Sequence, residues 1–309
     1  MSRDTIIDAL EIMRKSAIMQ KEPFKARAYQ TVIAQLKTMA TVTKEDIPLL
    51  KGAGDKITKK ILEIMETGSL AAADRAKSDL NLDALDAFQK IYGVGAVKAK
   101  ELVDQGFTTI EQLRLNPGVL HEKQQIGLKY YEALITRIPQ KEMTMHEDML
   151  LDTLHEIDVT ATGTVTGSYR RNASSSGDID FLIASNGTIH DIVHHLNEKG
   201  YLLEILALGK QKCMAICSLG IPRRLDIMVI PPNEYPFALL YFTGPQECNI
   251  AMRQHALDRG YTMNEHGITP LVPNKYVPPL KSEKDIFGFL GLEYLSPRHR
   301  SGQLYLHKQ

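Results

Sequence analysis

Thr166-Gly167-Ser168-Tyr169-Arg170-Arg171-Asn172-Ala173-Ser174-Ser175-Ser176-Gly177-Asp178-Ile179-Asp180 is the most informative stretch of the chain. It runs straight into Phe181-Leu182-Ile183, so residues 178–183 read as a buried strand of period two rather than as a surface turn. Asp178 and Asp180 lie two apart on that strand and present both carboxylates to one face. Two aspartates side by side repel each other unless a cation sits between them. Arg224-Leu225-Asp226-Ile227-Met228-Val229-Ile230 reads as another strand, with Asp226 in its middle and Leu225 and Ile227 pointing the opposite way. Three carboxylates converging from two strands suit two divalent ions about 3.5–4 Å apart, the clamp for in-line phosphoryl transfer. Gly167-Ser168, ahead of a helical turn, suits a triphosphate, and Arg171 can neutralise its charge.

No other phosphate machinery competes. Gly209-Lys210 is followed by Gln211, with Glu at 204, so the P-loop pattern is absent. Neither Gly-x-Ser-x-Gly nor His-Glu-x-x-His occurs. Outward from the aspartates, residues 159–166 are rich in Val and Thr and extend the strand pattern, and Ile189–Lys199 reads as a helix between the two aspartate strands. The segment from Pro231 onward, rich in proline and aromatics, reads as a smaller α+β unit. Before residue 140 the pattern is helical throughout. In 4–19 Ile6, Leu10, Met13 and Ala17 recur at helical spacing, and helices are also expected over 28–39, 55–67 (capped by Asp55 and stopped by Gly68), 81–91, 96–105, 108–115 and 124–136. No strand is expected there.

Two segments of the helical part repeat one pattern: Leu49-Leu50-Lys51-Gly52-Ala53-Gly54-Asp55-Lys56-Ile57 and Lys90-Ile91-Tyr92-Gly93-Val94-Gly95-Ala96-Val97-Lys98. Each joins an apolar helix end through Gly-x-Gly to a second helix bearing lysine. The glycines permit positive φ and close approach, and the free N–H groups of the turn form an anion site for a DNA backbone phosphate. Neither segment completes Gly-x-Gly-x-x-Gly, because Ile57 and Lys98 stand at the last position, so a dinucleotide fingerprint is excluded. After the first turn, Lys56 and Lys60 share one stripe of the helix and Ile57, Ile61, Ile64 and Met65 another, with Lys60 nearest the boundary. An amine in that position, beside Lys56 and Lys59, is a candidate for Schiff-base chemistry. On spacing alone, a solvated lysine face that meets phosphates is the stronger reading.

The chain has 309 residues, 43% apolar and 24% charged, the composition of a globular protein with two or more domains. The 37 basic and 37 acidic residues cancel, but residues 1–60 hold 12 basic against 7 acidic, net +5. Residues 61–140 (9 against 11) are net −2, and residues 141–309 (16 against 19) are net −3. This is a small anion-binding head on a body that carries carboxylates. No apolar run is long enough for a membrane helix, and the N-terminus lacks the pattern of a signal peptide. Cys213, Cys217 and Cys248 have neither disulfide nor zinc spacing and read as ordinary thiols of a reducing intracellular compartment. No nuclear-import run of basic residues is present, so nucleus, cytoplasm and a viral setting all stay open.

Gly167-Ser168 followed by Gly177-Asp178-Ile179-Asp180 is the nucleotidyltransferase signature. Together with Arg223-Arg224-Leu225-Asp226 and Tyr241-Phe242-Thr243-Gly244, the sequence resembles the DNA polymerase X family, in its beta/lambda-like core, from about Phe24 to Arg300. The resemblance implies a multidomain α+β fold. A helical lyase head with the first helix-hairpin-helix would occupy 1–75, and a helical DNA-binding subdomain with the second would occupy 76–139. A catalytic palm with a mixed sheet would span 140–232, and a nucleotide-selecting C-terminal subdomain 233–309.

By position, the resemblance gives Asp178, Asp180 and Asp226 two magnesium (or manganese) ions, with Asp226 placed to take the proton of a primer 3′-hydroxyl. Arg137, Ser168, Arg171 and Gly177 would hold the triphosphate, Tyr241, Phe242 and Gly244 the sugar side of the nucleotide, and Asn249 the base. Arg224 would lie between the aspartates and the primer terminus, Arg253 on the template strand, with Glu265 as its latch. Lys60 would attack an abasic sugar, with Lys56 on the 5′-phosphate, and this overrides the reading from spacing. The turns at Gly52, Gly54, Gly93 and Gly95 would bind DNA, with sodium or potassium on the carbonyls of Pro48, Leu50 and Ala53 and of Gln89, Ile91 and Val94. The implied activity is template-directed gap filling with 5′-deoxyribose phosphate lyase activity, in base-excision-type repair. It would act as a monomer on gapped or nicked duplex DNA carrying a 5′-phosphate, with dNTPs and no membrane. Two alternatives stand beside it, a template-independent nucleotidyltransferase and a DNA-binding protein with an inactive palm.

The chain also departs from the family pattern. Gln246, His266 and Met228 stand where the family often has Asp, Tyr and Arg, which touches the base-pair stacking contact and the open-to-closed switch. Lys25, Arg27 and Tyr29 match the 5′-phosphate pocket only loosely, and the span from Asp180 to Asp226 implies a trimmed palm hairpin. The length leaves no room for a BRCT domain before the head or a phosphoesterase domain after the end, so no proofreading is implied.

Overall fold

The computed structural model describes residues 3–20, 22–79, 81–187, 189–272 and 276–306; the extreme ends of the first and last expected domains lie outside the described residues. The chain divides into two compact units, Met1–Tyr131 and Glu132–Gln309.

In the first unit α1 (Arg3–Met19), α2 (Pro23–Thr38), α3 (Asp55–Thr67) and α4 (Ala71–Asp79) enclose Leu10, Val32, Ile33, Ile61 and Ile64, all fully buried. The stripe Ile6, Leu10, Met13, Ala17 of α1 is buried as its spacing predicts. Helix α2 begins well before residue 28 because Pro23, which has no N–H to leave unpaired, occupies its first turn. Helix α4 was not expected: its run of alanines shows no periodic apolar stripe, although alanine favours helix and Ala73 is buried in the core. Helices α5 (Leu82–Gln89), α6 (Ala96–Asp104), α7 (Ile110–Leu115) and α8 (Glu122–Lys129) form a second core around Phe88, Leu102 and Leu113. The helix expected over 124–136 is instead two, because Tyr130 (φ −103°, ψ 15°) leaves helical torsions before α9 (Tyr131–Ile135).

Both Gly-x-Gly segments adopt one backbone geometry. Gly52 and Gly93 are left-handed (φ 84° and 81°), and Gly54 and Gly95 are extended residues capping α3 and α6. The Ala53 N–H donates to the Leu50 carbonyl at 3.1 Å, and the Val94 N–H to the Ile91 carbonyl at 3.0 Å. Gly54, not Asp55, is therefore the cap of α3, since an extended φ/ψ is required there and Asp55 already lies inside the helix. Gly68, at φ 86°, ends α3 as expected.

The second turn is clamped onto α8. The Gln124 side chain donates to the Gly93 carbonyl at 2.8 Å, and a Cβ on Gly127 would lie 2.5 Å from the Tyr92 carbonyl oxygen. Gly127→Ala therefore has to push α8 off the turn, at a cost of about 2 kcal/mol. Amide exchange in α8 and the second hairpin should become roughly 30-fold faster, while α1–α3 are unchanged. Wild-type protection throughout would show that the contact yields without cost.

The second unit is built on a five-stranded mixed sheet in the order β2 (Thr162–Val165), β4 (Ile179–Ala184), β7 (Pro222–Ile230), β6 (Lys212–Ser218), β5 (Leu202–Leu208). Strand β4 runs parallel to β7, and the other pairings are antiparallel. Phe181, Ile183, Cys213, Ala215, Ile227 and Val229 face helices α10 (Gln140–Ile157) and α12 (Ile189–Glu198). Leu182, Met228 and Ile230 face the other way, onto α13 (Tyr235–Thr243). Asp180 and Asp226 have the parity of this second face.

Strands β5 and β6 were not expected, nor was the short pair β1 (Ile138–Pro139) and β3 (Ser175–Ser176), which places a strand before residue 140. Beyond α13, a compact end is formed by α14 (Gln246–Asp258), the hairpin β8 (Tyr261–Met263) and β9 (Ile268–Pro270), and α15 (Glu283–Phe289), around Met252, Phe287 and Leu290. α11 (Gly167–Arg170) is a single turn. The architecture is multidomain α+β, helical first and then a mixed-sheet domain with a small α+β end.

Candidate active site

The parallel pairing of β4 with β7 puts Asp180 directly opposite Asp226. Asp226 is 7% exposed, and its Oδ1 atom is buried without a hydrogen-bond partner. Burial, and then the Asp226 carboxylate, push the Asp180 carboxyl up to about 6, against a smaller opposing pull from Lys212. Gly167 (φ 60°) completes the floor, because a Cβ there would lie 2.9 Å from Asp180 Oδ2.

Asp178 sits one residue before β4 rather than within it, and its carboxylate is held by the Arg224 guanidinium, whose Nε lies 3.9 Å from Asp226 Oδ1. Among the described residues no three His, Cys, Asp or Glu side chains are gathered into a ready metal-binding group. The structure brings Asp180 and Asp226 together and ties the remaining predicted carboxylate to Arg224.

A buried carboxyl titrating near 6 costs stability when ionised. The cost develops as pH rises from the unfolded value near 4 to about 6 and is complete above it. With divalent ions chelated, Asp180→Asn should stabilise the sheet unit by ~2–3 kcal/mol at pH 7.5, and the gain should shrink between pH 6 and 4. Urea denaturation at pH 7.5 and at pH 4 measures this, and a gain independent of pH would refute the assignment.

A cleft of about 720 Å³ opens where α13 ends and α14 begins, lined by Arg171, Tyr241, Phe242, Gly244, Asn249 and Arg253 among others. Arg171 donates to the Thr243 carbonyl at 2.6 Å, and Asn249 to the Tyr241 carbonyl at 2.8 Å. Tyr241 and Phe242 meet edge to face at 5.0 Å, and Arg253 lies over the Tyr241 ring and 3.3 Å from Glu265. Gly244 has φ 60° and precedes a cis proline, Pro245. The Ser168 hydroxyl donates to Ser176 at 3.0 Å, Arg137 donates to Ser175 at 2.7 Å, and Gly177 is exposed between β3 and β4. His266 donates to Glu234 at 2.6 Å, which holds the imidazole above the usual histidine range. Met228 is buried, and Gln246 starts α14.

In the first unit Lys60 is half-buried on α3, with Lys56 and Lys59 exposed beside it; none of the three forms an ion pair with a described residue. Pro48 lies inside the short helical turn Ile47–Leu49 and Leu50 closes it before Gly52; the Ala53 carbonyl accepts from the Thr58 hydroxyl at 3.3 Å. Gln89 ends α5, and Ile91 and Val94 hold the equivalent places in the second turn.

Four family models match in consecutive order. They are a helix-hairpin-helix domain (residues 1–70), the fingers domain of DNA polymerase lambda (86–135), the DNA polymerase beta palm (137–232) and the DNA polymerase beta thumb (238–301). The chain belongs to the DNA polymerase X family. Its curated relatives include DNA polymerase lambda of Rattus norvegicus, 30% identical over 96% of this chain and 56% of that protein. DNA polymerase lambda of Arabidopsis thaliana is 28% identical over 82% of this chain and 53% of that protein. The chain thus spans about half the length of the curated relatives it matches.

Sequence reading missed four polar residues of the second unit. Lys212, the first residue of β6, places its Nζ 3.0 Å from Asp226 Oδ2. Arg170 donates to Thr243 at 2.7 Å and forms a two-pronged pair with Glu283, which also binds Arg300 at 2.8 Å. The alternation of Cys213, Ala215 and Cys217 hints at a strand but not at which strand lies beside it, so it does not place Lys212 near Asp226; nothing local in the sequence pairs Arg170 with Glu283.

Proposed function

We propose that the chain is a template-directed gap-filling DNA polymerase with an associated 5′-deoxyribose phosphate lyase. The observation that carries this is the facing pair Asp180 and Asp226, the first pushed up to about 6 and the second with an unpartnered buried oxygen. Such a pair gains most from a divalent cation, and an all-oxygen donor set suits magnesium or manganese. When bound, two such ions would activate the 3′-hydroxyl and neutralise the phosphates.

The remaining roles belong to the chain. Asp180 and Asp226, joined by Asp178 on leaving Arg224, supply the oxygen ligands, and Asp226 takes the proton of the 3′-hydroxyl. Arg137, Ser168, Arg171 and Gly177 bind the triphosphate; Tyr241, Phe242 and Gly244 pack the sugar and Asn249 orients the base. Arg253 and Glu265 meet the template strand. The two Gly-x-Gly turns hold DNA phosphates without reading sequence, with sodium or potassium on their carbonyls. Lys60 attacks the abasic sugar while Lys56 binds its 5′-phosphate. In this reading the lyase head spans 1–75, the DNA-binding subdomain 76–139, the palm 140–232 and the nucleotide-selecting end 233–309. The protein works as a monomer on gapped, 5′-phosphorylated duplex DNA with dNTPs.

Primer extension on a one-nucleotide gap, with a single-stranded primer as control, tests the reading. Template-matched addition on the gap alone is expected. Equal addition to the single strand would make the chain a template-independent transferase, and no addition to either would leave a DNA-binding protein.

A further inference from the structure

We infer that Lys212 is a built-in counter-ion for Asp226 that competes with the divalent cation and so sets how tightly the site binds metal. The inference rests on the aspartate metal site proposed above.

Lys212 opens β6, and its backbone pairs with Met228, two residues along β7 from Asp226. Lys212, Met214, Asp226 and Met228 share one face of the sheet, so Lys212 and Asp226 are diagonal neighbours there. The Lys212 side chain is 49% exposed whereas that of Asp226 is 9% exposed. The carboxylate is therefore fixed and poorly hydrated, while the ammonium is carried on a flexible stem with water to withdraw into. Nζ lies 3.0 Å from Oδ2, on the oxygen that Arg224 does not approach. Met214 and Met228 offer no charge of their own. Apart from Arg224 on the same strand as Asp226, Lys212 is the described cation paired with that carboxylate.

Removing one member of a partly buried pair leaves the other undercompensated, so a cation arriving at Asp226 would then gain more than it does when it must first displace the ammonium. Lys212 thus stabilises the fold when metal is scarce and weakens metal binding by the same interaction. Because the pair is half-exposed on the lysine side, the effect is about tenfold in affinity rather than thousands.

The test is Mn2+ binding to the whole, chelator-stripped protein, read by electron paramagnetic resonance and by thermal melting with and without Mn2+. Lys212→Met, and Lys212→Gln as a second neutral variant, should bind Mn2+ about tenfold tighter. Their melting temperature should be lower than wild type with chelator and equal to it at saturating Mn2+. Lys212→Arg, which keeps the charge, should bind as wild type does. Neutral variants with wild-type Mn2+ affinity, alongside an Asp226→Asn that loses it, would overturn the role of Lys212 and leave the metal site standing. No saturable Mn2+ binding by the wild type would overturn the metal site itself.

Discussion

Asp226→Ala should bind gapped DNA as tightly as wild type, or slightly more tightly, and extend the primer on the order of 10³-fold or more slowly. Asp226 lies mid-strand in β7 and is bonded in register on both sides, to Asp180 of β4 and Met214 of β6, so alanine keeps the backbone ladder. The side chain removed is an acceptor for Lys212 and a neighbour of Arg224. Losing it frees positive charge toward a polyanion, which favours binding to DNA. What disappears is the carboxylate that would carry the 3′-hydroxyl proton and share the metal with Asp180, an interaction made in the transition state, so the loss falls on turnover. A loss of more than about 4 kcal/mol of barrier lowering corresponds to this rate. Single-turnover extension together with a DNA-binding isotherm measures both halves. Extension within a few-fold of wild type would remove Asp226 from the chemistry, and a parallel loss of DNA affinity would make its role structural.

Lys60→Ala should lose sugar-phosphate excision by about 10²-fold while keeping polymerisation, and Asp178→Ala should do the reverse. The two residues lie in different compact units, Lys60 on α3 of the first and Asp178 ahead of β4 of the second. Half-buried Lys60, with no ion pair among the described residues, would add to the open-sugar aldehyde with loss of water, and the imine would acidify the neighbouring C–H so that the 3′-phosphate departs. No metal enters that sequence. Lys60→Arg should fail as completely as alanine, because a guanidinium keeps the charge but is not a nucleophile. Borohydride reduction traps the imine as a covalent adduct. An undiminished adduct in Lys60→Ala would transfer the role to Lys56 or Lys59, and lyase loss in Asp178→Ala would show that the activities are coupled.

The helical first unit and the aspartate strands were legible because each carries an uninterrupted period: Ile6, Leu10, Met13 and Ala17 around α1, Phe181 and Ile183 along β4. Hairpin β5–β6 was not, because Leu202-Leu203-Glu204-Ile205-Leu206 has no clean alternation and its pairing with β6 is broken by register shifts. Asp180 and Asp226 could be read as partners from chemistry alone, since two carboxylates in apolar strands have few other uses. Lys212 could not be placed, because its closeness to Asp226 depends on which strand lies next to β7, a fact of topology rather than of local pattern. Arg170 with Glu283 is the same case over a longer span of sequence. The first turn of α2 and the split at Tyr130 were decided by single residues, Pro23 and Tyr130, against a periodicity that predicts only where apolar faces run.

The two Gly-x-Gly turns share glycines and little else, yet they trace the same backbone: one is framed by Lys51 and Asp55, the other by Tyr92 and Ala96. The hydrogen bonds that shape each turn join amide hydrogens to carbonyl oxygens, which nearly every amino acid supplies. Replacement of the intervening or flanking side chains therefore leaves the contact surface nearly untouched, and only the loss of a left-handed glycine removes it. Grip of this kind tolerates genetic drift in a way that a lysine patch does not. A lineage can rewrite most of each hairpin, alter its charge or lend it to a different neighbour, and inherit the same handhold.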